Sequence, residues 1–353
     1  MFFSDKCVLI TGGTGSLGKT LLRRLLSAEL GRPRKIIVFS RDEAKQHYMR
    51  LDYQQKTVAT EEIIYHNFEE LVEFRIGDVR DYPSVLAAVR VADIVVNGAA
   101  LKQVPTCEYF PFEAVKTNIM GAENIVRAIQ EDRCHVSTVV GVSTDKACKP
   151  VNVMGMTKSL QERIFLNANL HVPRIRLICV RYGNVLASRG SVIPLFHEQI
   201  KNGGPVTITT TEMTRFLLSL DDAVDLIFAA LQTARRGETY IPHAPAARVV
   251  DVANALIGGR NIPIKVTGIR PGEKTHEILI SEEEAHRTRA RGKYYCIESI
   301  LPEIAGKESG EPYLDGEYSS NSEVMSPSRV HDFLDEHNLL VASAAEETVE
   351  LLR

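Results

Sequence analysis

Long apolar runs are absent from this sequence. No stretch approaches the roughly 20 apolar residues that a membrane-spanning helix needs. The opening segment MFFSDKCVLITGG also lacks a basic region, a long apolar core and a small-residue cleavage site. Charge of one sign is scarce too, because the formal net charge is only -3 at pH 7. We therefore expect a cytoplasmic protein with neither a membrane nor a nucleic-acid partner.

Cysteine is equally sparse and follows no pattern. The six cysteines are scattered, with no C-x-x-C pair and no metal-ligand spacing. This distribution favours free thiols in a reducing compartment over disulfides or a zinc site. Internal repeats and low-complexity segments are absent as well. We therefore expect no bound metal.

What the sequence does contain is a regular alternation of strand and helix patterns. Its 353 residues, 44% hydrophobic and 25% charged, suffice for one large domain and a smaller lobe. At least six βα units predict a Rossmann-type doubly wound parallel sheet, hence an α/β fold. We expect this domain over residues 1–187, with later elements returning at about 211–245, and a lobe mainly over 188–280. The excursion at 48–70 and the tail at 281–353 receive no role.

A glycine-rich turn follows the first strand pattern. The apolar run CVLIT leads directly into GGTGSLG, with Gly12, Gly15 and Gly18 at G-x-x-G-x-x-G spacing before an amphipathic helix pattern. Glycine lets the backbone approach a pyrophosphate, and the N–H groups at the helix start face its negative charge. A tight strand-to-helix turn is the plainer interpretation. The position after the first strand favours a dinucleotide site that includes Ser16 and Leu17.

The end of the second strand pattern, KIIVFS, indicates which nicotinamide cofactor is used. NAD-binding proteins typically carry an acid here for the ribose hydroxyls, whereas Ser40 and Arg41 come first in this sequence. Arg41 could pair bidentately with a 2′-phosphate, and Lys45 adds a second cation one turn later, which favours NADP. Asp42 keeps NAD as the alternative. A solvated charge cluster at a helix start is the non-functional interpretation.

Polar and small residues follow the third and fourth strand patterns. Asp78 and Val79 end the third, where a carboxylate can accept a hydrogen bond from an adenine amino group. Ala99 and Ala100 end the fourth, where small residues let the backbone lie along the cofactor. Lys102 comes directly afterwards, and we expect it to reach phosphate or substrate.

Two further segments are expected to border the cofactor. Asn118 lies on the helix pattern EAVKTNIMGAENIVRAI, as either a buried structural amide or a support for the catalytic strand. The strand pattern RIRLICVRYGNVLAS ends near Tyr182, Asn184 and Val185. We expect these three to touch the nicotinamide side and the sugar.

The chemistry is expected at the turn after the fifth strand pattern. Ser143, Thr144, Asp145 and Lys146 follow an apolar β-branched run, and ligands of a doubly wound sheet bind beyond the carboxyl ends of its strands. A surface ion pair in a polar turn is the plainer interpretation. The place at a strand end favours a proton donor beside a group that could accept, if burial lowered the lysine pKa.

The helix after this turn carries a second pair of residues. Met154 and Lys158 lie four residues apart on a helix that Pro150 is expected to open, so we expect both to point at the same cleft. The spacing resembles the Tyr-x-x-x-Lys pair of the short-chain dehydrogenase/reductase superfamily, with methionine where tyrosine normally stands. A thioether cannot give or take a proton. Either the site is inactive or another group, Asp145 or Lys146, does this work.

A set of motifs extends the resemblance over residues 5 to about 280. The motifs are TGGTGSLG, FSRDE, GDVRD, GAALKQVPTCE, KTNIMGAENI, STDKACKPVNVMGMTK, RYGNVLASRGSVIPLF, MTRF and RPGEK. Together they resemble the inverting UDP-N-acetylglucosamine 4,6-dehydratases (5-epimerising), which serve bacterial polysaccharide and flagellin sugars. The S-T-D-K turn separates this branch from the ordinary 4-epimerases. In part of the family methionine occupies the tyrosine place, so Met154 is an expected variant.

The resemblance implies a reaction on one tightly held NADP. Hydride would leave C4 of the sugar, Lys146 would take the C5 proton, and Asp145 would protonate the departing C6 hydroxyl. Hydride would then return to C6 while a proton reaches C5 from the opposite face. Lys158 would hold the nicotinamide ribose and favour an alkoxide at O4. Thr144 through water, or Lys146 itself, would accept the O4 proton.

A nucleotide-sugar substrate also needs diphosphate and uridine contacts. Arg215 in MTRF and Arg270 in RPGEK are fork-shaped donors suited to a diphosphate, and the resemblance puts both in the substrate lobe. Asn184, Ser191 and Glu273 are weaker candidates for sugar or uridine contacts.

Three expectations concern the remaining helices. The helices over 107–130 and 150–170 commonly form the interface in the superfamily, so the resemblance implies a homo-oligomer, a hexamer by analogy. The segment THEILI after RPGEK is expected to be helical, and a final helix is expected from Pro327 to His337.

Two other functions compete with the dehydratase. A nucleotide-sugar 4-epimerase needs no acid for a C6 leaving group. A redox-sensing protein that kept the cofactor fold and lost its tyrosine would bind NADP and turn nothing over. The intact Lys158 and the S-T-D-K turn argue against such decay.

Overall fold

Strands and helices alternate through most of the chain. The computed structural model describes residues 1–55, 62–131, 134–186, 191–305 and 314–341. Their strands are β1 Cys7–Thr11, β2 Lys35–Ser40, β3 Val72–Ile76, β4 Ile94–Asn97, β5 Thr138–Thr144, β6 Arg176–Tyr182, β7 Asn184–Val185, β8 Val206–Ile208, β9 Thr214–Leu218, β10 Thr239–Pro242, β11 Ala246–Arg248, β12 Ile264–Val266, β13 Ile278–Ile280, β14 Thr288–Arg291, β15 Tyr294–Ile297 and β16 Tyr318–Ser319.

The helices occupy the intervals between these strands. They are α1 Ser16–Leu26, α2 Glu43–Gln55, α3 Glu62–Leu71, α4 Tyr82–Val89, α5 Val104–Tyr109, α6 Pro111–Ala114, α7 Gly121–Ile129, α8 Val153–Ala168, α9 Val192–Lys201, α10 Leu220–Thr233, α11 Val249–Ile257, α12 Glu282–Ala285 and α13 Pro327–Glu336. A π-helical segment, Val115–Met120, leads into α7, and a 3-10 turn, Asp145–Ala147, follows β5.

The strand order confirms the doubly wound fold. Among the described residues, the main sheet runs β14-β15-β10-β6-β5-β4-β1-β2-β3. The seven strands from β3 to β10 pair in parallel, and β15 and β14 add an antiparallel edge. The order 3-2-1-4-5-6 within it is that of a Rossmann sheet, which places the carboxyl ends of β1, β4 and β5 side by side.

Burial on both faces explains why these strands are continuous apolar runs. All five residues of β1 and six of the seven residues of β5 are buried. One face is covered by α1 and α10, through side chains such as Leu22 and Ile227. The other is covered by α4, α7 and α8, through Val85, Ile125 and Phe165. This two-sided packing fixes the turns at the strand ends.

The smaller lobe has its own apolar core. Side chains from α9, α11 and α13, including Phe196, Leu256 and Phe333, pack together beside the short strands β8 and β12. The three-stranded sheet β11-β9-β7 joins this lobe to the end of β6. Substrate recognition in such folds falls in the crevice beyond the strand ends, which this lobe faces.

The two segments without a predicted role contribute helices and strands to the fold. The described part of the excursion at 48–70 completes α2 and forms α3, and its residues 56–61 lie outside the described residues. The described part of the tail contributes β14 and β15 to the main sheet, and α13 at Pro327–Glu336 matches the expected helix within one residue. The expected helix THEILI is wrong, because Ile278–Ile280 is a strand that pairs with β16.

No helix among the described residues combines the length and the apolar character needed to cross a bilayer.

Candidate active site

The glycine-rich turn between β1 and α1 is packed too tightly for side chains. Gly12 has φ +66°, and a Cβ there would lie 2.8 Å from the backbone nitrogen of Ala99 at the end of β4. A Cβ on Gly18 would lie 2.4 Å from the carbonyl oxygen of Gly13. Gly15 is exposed and caps α1, with Ser16 and Leu17 in the first turn of the helix. The turn thus forms a cradle that fits a pyrophosphate at a helix N-terminus.

The residues after β2 include two exposed cations, Arg41 and Lys45. Ser40 is buried, with its hydroxyl 2.9 Å from that of Thr14. The carboxylate of Asp42 lies 2.6 Å from the ammonium of Lys45, which lowers the Asp42 pKa. Arg41 is exposed and only 3.9 Å from Asp78. Its guanidinium is therefore open to solvent, as the ammonium of Lys45 is.

The end of β3 is held by its neighbours. The Asp78 carboxylate accepts from the Arg80 side chain at 2.6 Å, and this contact lowers the Asp78 pKa despite partial burial. Val79 is buried, and its carbonyl accepts from Asn124 of α7 at 2.9 Å. The position expected to meet adenine therefore carries an ionised carboxylate at a rigid turn.

The end of β4 is tied to its surroundings by amides. The Thr11 hydroxyl donates to Asn97 at 2.6 Å and accepts from the backbone N–H of Ala99. Asn118 is fully buried; its amide bonds both backbone groups of Leu101 and the Thr157 hydroxyl of α8.

Asn118 is therefore corrected from a cofactor contact to a support. Its amide fixes the loop after β4 against α8, and its bonds to protein groups leave it facing no cleft. Ala100 is partly exposed and Lys102 is exposed on the same loop.

The turn after β5 brings together the expected catalytic group. Asp145 is fully buried, and its Oδ1 accepts from the Thr144 hydroxyl at 2.9 Å and from the Lys146 ammonium at 3.0 Å. Asp145 Oδ2 and the Ser143 hydroxyl are also buried and have no hydrogen-bond partner among the described residues. Buried polar atoms normally find partners. These two vacancies fit a site that is completed by a polar ligand.

The pKa of Lys146 is raised, whereas a general base needs a lowered pKa so that its amine is neutral. Its Nζ lies 3.0 Å from Asp145, 3.1 Å from Glu277 and 3.3 Å from the Asn184 side-chain oxygen. Desolvation lowers the pKa of Lys146, but the two carboxylates outweigh it and raise the pKa above its ordinary value. The condition that burial lowers this pKa is therefore not met.

The two carboxylates that flank Lys146 are shifted in opposite directions. Burial raises the pKa of Asp145, and the negative charge of Glu277 adds to that shift. The pKa of Glu277 is lowered because Lys146, Arg215 and Lys274 outweigh its own burial. The two carboxyl groups therefore differ in proton affinity, with Asp145 the more readily protonated of the two.

Helix α8 begins later than expected and presses on the catalytic turn. Its N-cap is Asn152, whose side chain accepts from the N–H of Gly155 at 2.8 Å, so Pro150 lies outside the helix. A Cβ on Gly155 would lie 2.1 Å from the carbonyl oxygen of Lys146. Only glycine permits this approach, because a side chain would collide with the carbonyl oxygen. The turn after β5 can therefore pack directly against the start of α8.

Met154 and Lys158 do not share a cleft. Met154 is buried in a small apolar cluster with Cys107 and Ala114, so its expected place in the catalytic set is corrected to packing. Lys158 is buried elsewhere, with Nζ 2.5 Å from the Val142 carbonyl and 2.8 Å from Gln161. Burial lowers the pKa of Lys158 to about 8. Four-residue spacing puts side chains on one face, but the packing around each decides what it meets.

At the end of β6, Tyr182 lies in the core, whereas Asn184 lies beside Lys146. Tyr182 is buried in the main core, and burial raises the pKa of its hydroxyl above the ordinary value. The expected nicotinamide contact of Tyr182 is not supported by this placement. Asn184 contacts Lys146 directly, and Val185 beside it is half-buried.

Arg215 occupies a different role from the one expected. It is buried, and its guanidinium donates to the carbonyls of Thr214, Thr275 and Lys274. Its Nε lies 3.8 Å from Glu277. Since backbone carbonyls occupy these donors, diphosphate binding by Arg215 is corrected to support of the catalytic cluster.

The other substrate candidates remain near the cleft. Arg270 is exposed, and its backbone N–H reaches Glu273 at the turn before β13. Glu273 also accepts from the Thr209 hydroxyl at 3.4 Å. Ser191 precedes α9, and its hydroxyl is buried with no partner among the described residues.

Glu277 is the member of the charged cluster around Lys146 that the sequence did not indicate. It stands one residue before β13, in the segment expected to be helical, and no local motif marks it. Its carboxylate reaches the turn after β5 because β13 pairs with β16 and packs against the main core. Correct assignment of THEILI as a strand would have been the only available signal.

Comparison with known proteins gives three kinds of similarity. The family model described as "Polysaccharide biosynthesis protein" matches residues 8–299. A UDP-glucose 4-epimerase of Rickettsia canadensis is 44% identical over 300 residues, covering 84% of this chain and 83% of the relative. The X-ray structure of Pen from Bacillus thuringiensis superposes with a TM-score of 0.84 and 34% identity, covering 96% of this chain and 100% of that one.

A more distant structure shares the fold alone. The dTDP-glucose 4,6-dehydratase DesIV of Streptomyces venezuelae, with NAD and TYD bound, has a TM-score of 0.64 and 19% identity. The match covers 76% of this chain and 86% of that one.

Proposed function

Because the chain belongs to the polysaccharide biosynthesis protein family, we propose that it is a UDP-N-acetylglucosamine 4,6-dehydratase that inverts C5. The product would be UDP-2-acetamido-2,6-dideoxy-L-arabino-hexos-4-ulose, a precursor for bacterial surface glycans. At the coarser level, the chain is an enzyme of the NAD(P)-dependent nucleotide-sugar dehydratase and epimerase family.

The observation that carries the proposal is the buried carboxyl group at the end of β5. Asp145 is buried with a raised pKa and one unpartnered oxygen, beside an amine that contacts it at 3.0 Å. Loss of a C6 hydroxyl needs a proton donor, whereas epimerisation at C4 needs none at C6. A carboxyl group whose pKa is raised by burial retains a proton more readily than an exposed one, which suits general acid catalysis.

Each residue of the turn then has a task. The nicotinamide cofactor would supply hydride transfer when bound to the glycine-rich cradle. Asp145 would give its proton to the departing C6 hydroxyl, and Lys146 would take the proton from C5. Thr144, which donates to Asp145, would hold that carboxyl group in place. Lys158, whose ammonium donates to the Val142 carbonyl and to Gln161, would stabilise negative charge at O4 through its positive charge alone, without direct contact.

The cofactor we propose is NADP, with NAD as the alternative. We expect Arg41→Ala to weaken NADP binding by about 10- to 100-fold, since it removes a charge-assisted contact to the 2′-phosphate. NAD binding should change little. Dissociation constants for both nucleotides measured by fluorescence titration would check this, with Arg90→Ala as a control that removes an exposed arginine elsewhere. Equal weakening for both nucleotides would contradict the proposal.

A second candidate, a nucleotide-sugar 4-epimerase, is favoured by one finding. The Rickettsia relative at 44% identity carries the name UDP-glucose 4-epimerase. That enzyme class returns the hydride to C4 and leaves C5 and C6 unchanged, so the two functions give different products from one substrate.

Proton NMR in deuterated water separates these functions. With UDP-N-acetylglucosamine and no added reductant, we expect a 4-keto-6-deoxy sugar with a new C6 methyl signal and deuterium at C5. A C4 epimer without a methyl signal would establish the alternative. Cofactor binding with no product from any UDP-sugar would support the third interpretation, a protein that binds the cofactor and has no catalytic activity.

The partners we propose are a UDP-sugar and further copies of this chain. Arg270 is the exposed fork-shaped donor that remains for the diphosphate. Tyr109, Phe112, Met156 and Leu160 are between 48% and 82% exposed on α5, α6 and α8. Large apolar side chains exposed together favour self-association, which supports a homo-oligomer.

A further inference from the structure

Glu277 is held rigidly beside the catalytic turn. Its backbone N–H donates to the Ser320 hydroxyl at 3.0 Å, and its carbonyl accepts from the Ser320 N–H at 2.8 Å. The side chain is 2% exposed, and its Oε1 lies 3.1 Å from Lys146 Nζ. The distance between these two groups is therefore set by the pairing of β13 with β16, away from the turn itself.

The carboxylate of Glu277 can accept more hydrogen bonds than its contacts provide. Oε2 is buried and has no hydrogen-bond partner among the described residues. The charged groups that face it are Lys146 from the turn after β5, Arg215 from β9 and Lys274 from the preceding loop, with Asp145 on the far side of Lys146. A buried carboxylate with a vacant oxygen calls for an explanation. Acceptance of a proton would supply one. Because Lys146, Arg215 and Lys274 lower the pKa of Glu277 in the resting cluster, this transfer needs a driving force.

The proposed function leaves a difficulty that this residue resolves. Lys146 can remove a proton from C5 only as a neutral amine, yet its contacts with Asp145 and Glu277 raise its pKa and favour the ammonium form. Lys146 must therefore lose a proton before the elimination begins. Asp145 is a poor destination for it, because Asp145 is required as the acid.

We propose that Glu277 takes the proton from Lys146 and thereby prepares the amine that attacks C5–H. The N–H bond of the ammonium breaks as an O–H bond forms on Glu277. The C5–H bond then breaks as a new N–H bond forms on Lys146, and its electron pair expels the C6 hydroxyl, which takes the proton of Asp145. Glu277 acts through Lys146 and is thus a positioning and relay residue. The inference rests on the proposed dehydratase function.

Substrate binding would drive the first transfer. The Lys146 side chain is 22% exposed, so a sugar bound over it would remove its remaining water. Loss of water disfavours the ion pair relative to the neutral amine and carboxylic acid. The neutral amine of Lys146 would therefore form only when substrate covers the cluster. In the resting enzyme Lys146 would remain protonated.

Two substitutions of Glu277 test the relay. Gln keeps the size and a hydrogen-bond acceptor but cannot take a proton, whereas Asp keeps the carboxylate on a shorter arm. We expect Glu277→Gln to lose product formation and C5 deuterium incorporation by at least about 100-fold, and Glu277→Asp to retain more of both. Glu317→Gln, which removes the partner of Lys149 at a distance of 2.7 Å, is the control and should stay near wild type.

The relative activities of Glu277→Gln and Glu277→Asp decide whether Glu277 is a proton relay. If Glu277→Gln forms product at least as fast as Glu277→Asp, Glu277 has only a packing role. The relay is then overturned, and the proposed dehydratase function is unaffected. If the wild type forms no 4-keto-6-deoxy product, the proposed function itself has failed. Should Glu277→Gln not fold, the acidic limb of the kcat pH profile decides. That limb should move in Glu277→Asp, and an unmoved limb overturns the relay.

Discussion

Asp145→Asn is expected to lower the rate of 4-keto-6-deoxy sugar formation by about 10²- to 10⁴-fold, the usual worth of a general acid. Asparagine matches the size of the carboxyl group and can still accept from Thr144 and Lys146. It cannot release a proton to the C6 hydroxyl. The fold should survive, because the raised pKa of Asp145 already favours the uncharged form. Product NMR and a thermal melt of the same sample would check both parts.

The same variant distinguishes the two enzyme candidates. An epimerase has no leaving group at C6, so full turnover of Asp145→Asn would contradict the dehydratase and favour 4-epimerisation. Glu317→Gln is again a suitable control, since it removes a carboxylate from the neighbouring surface and leaves the buried cluster intact. A loss of activity in the control would show that the effect is not specific to the buried acid.

Lys158→Met is expected to abolish most activity while making the protein more stable at pH 7. The activity falls because no cation remains to favour negative charge at O4, and we expect a loss of at least about 100-fold. The stability rises because a buried ammonium is removed, while Gln161 still donates to the Val142 carbonyl at 3.2 Å. Rates and urea-unfolding midpoints at matched cofactor content would measure the two effects.

The sign of the pH dependence follows from the lowered pKa. Lys158 titrates at about 8 in the folded chain against an ordinary value of 10.5, so the unfolded chain binds more protons between these two values. Stability of the wild type should therefore rise from pH 8 to 10.5, by up to about 3 kcal/mol for this group. The advantage of Lys158→Met should be largest below pH 8 and vanish above 10.5.

An exposed lysine provides the matched control for this prediction. Lys201→Met at the end of α9 removes a charge that is already solvated, so neither activity nor the pH dependence of stability should change. A stability gain for Lys158→Met that persists unchanged at high pH would contradict the buried-charge explanation.

Local patterns predicted the frame of the molecule well. The strand KIIVFS has the predicted bounds, the final helix ends one residue early, and the glycine-rich turn lies between β1 and α1 as expected. Asp145 and Lys146 are adjacent in sequence and contact each other. Each of these features depends on neighbouring residues, whose periodicity and turn chemistry are legible in the sequence.

The surroundings of individual side chains were not predictable in the same way. Met154 enters an apolar cluster, Arg215 bonds backbone carbonyls, and the pKa of Lys146 is raised. Each result depends on residues from another element or from the smaller lobe. THEILI failed for the same reason, since its strand partner lies some forty residues further along the chain.

The sequence by itself determined the doubly wound sheet, the cofactor turn and the adjacent acid and amine, because these are written in short-range spacing. Only the tertiary structure decided which groups are charged. Burial and the approach of Glu277 from the segment before β13 shift the proton affinities of Asp145 and Lys146, and electrostatic energies of this kind depend on distance and solvent exclusion that residue spacing does not encode.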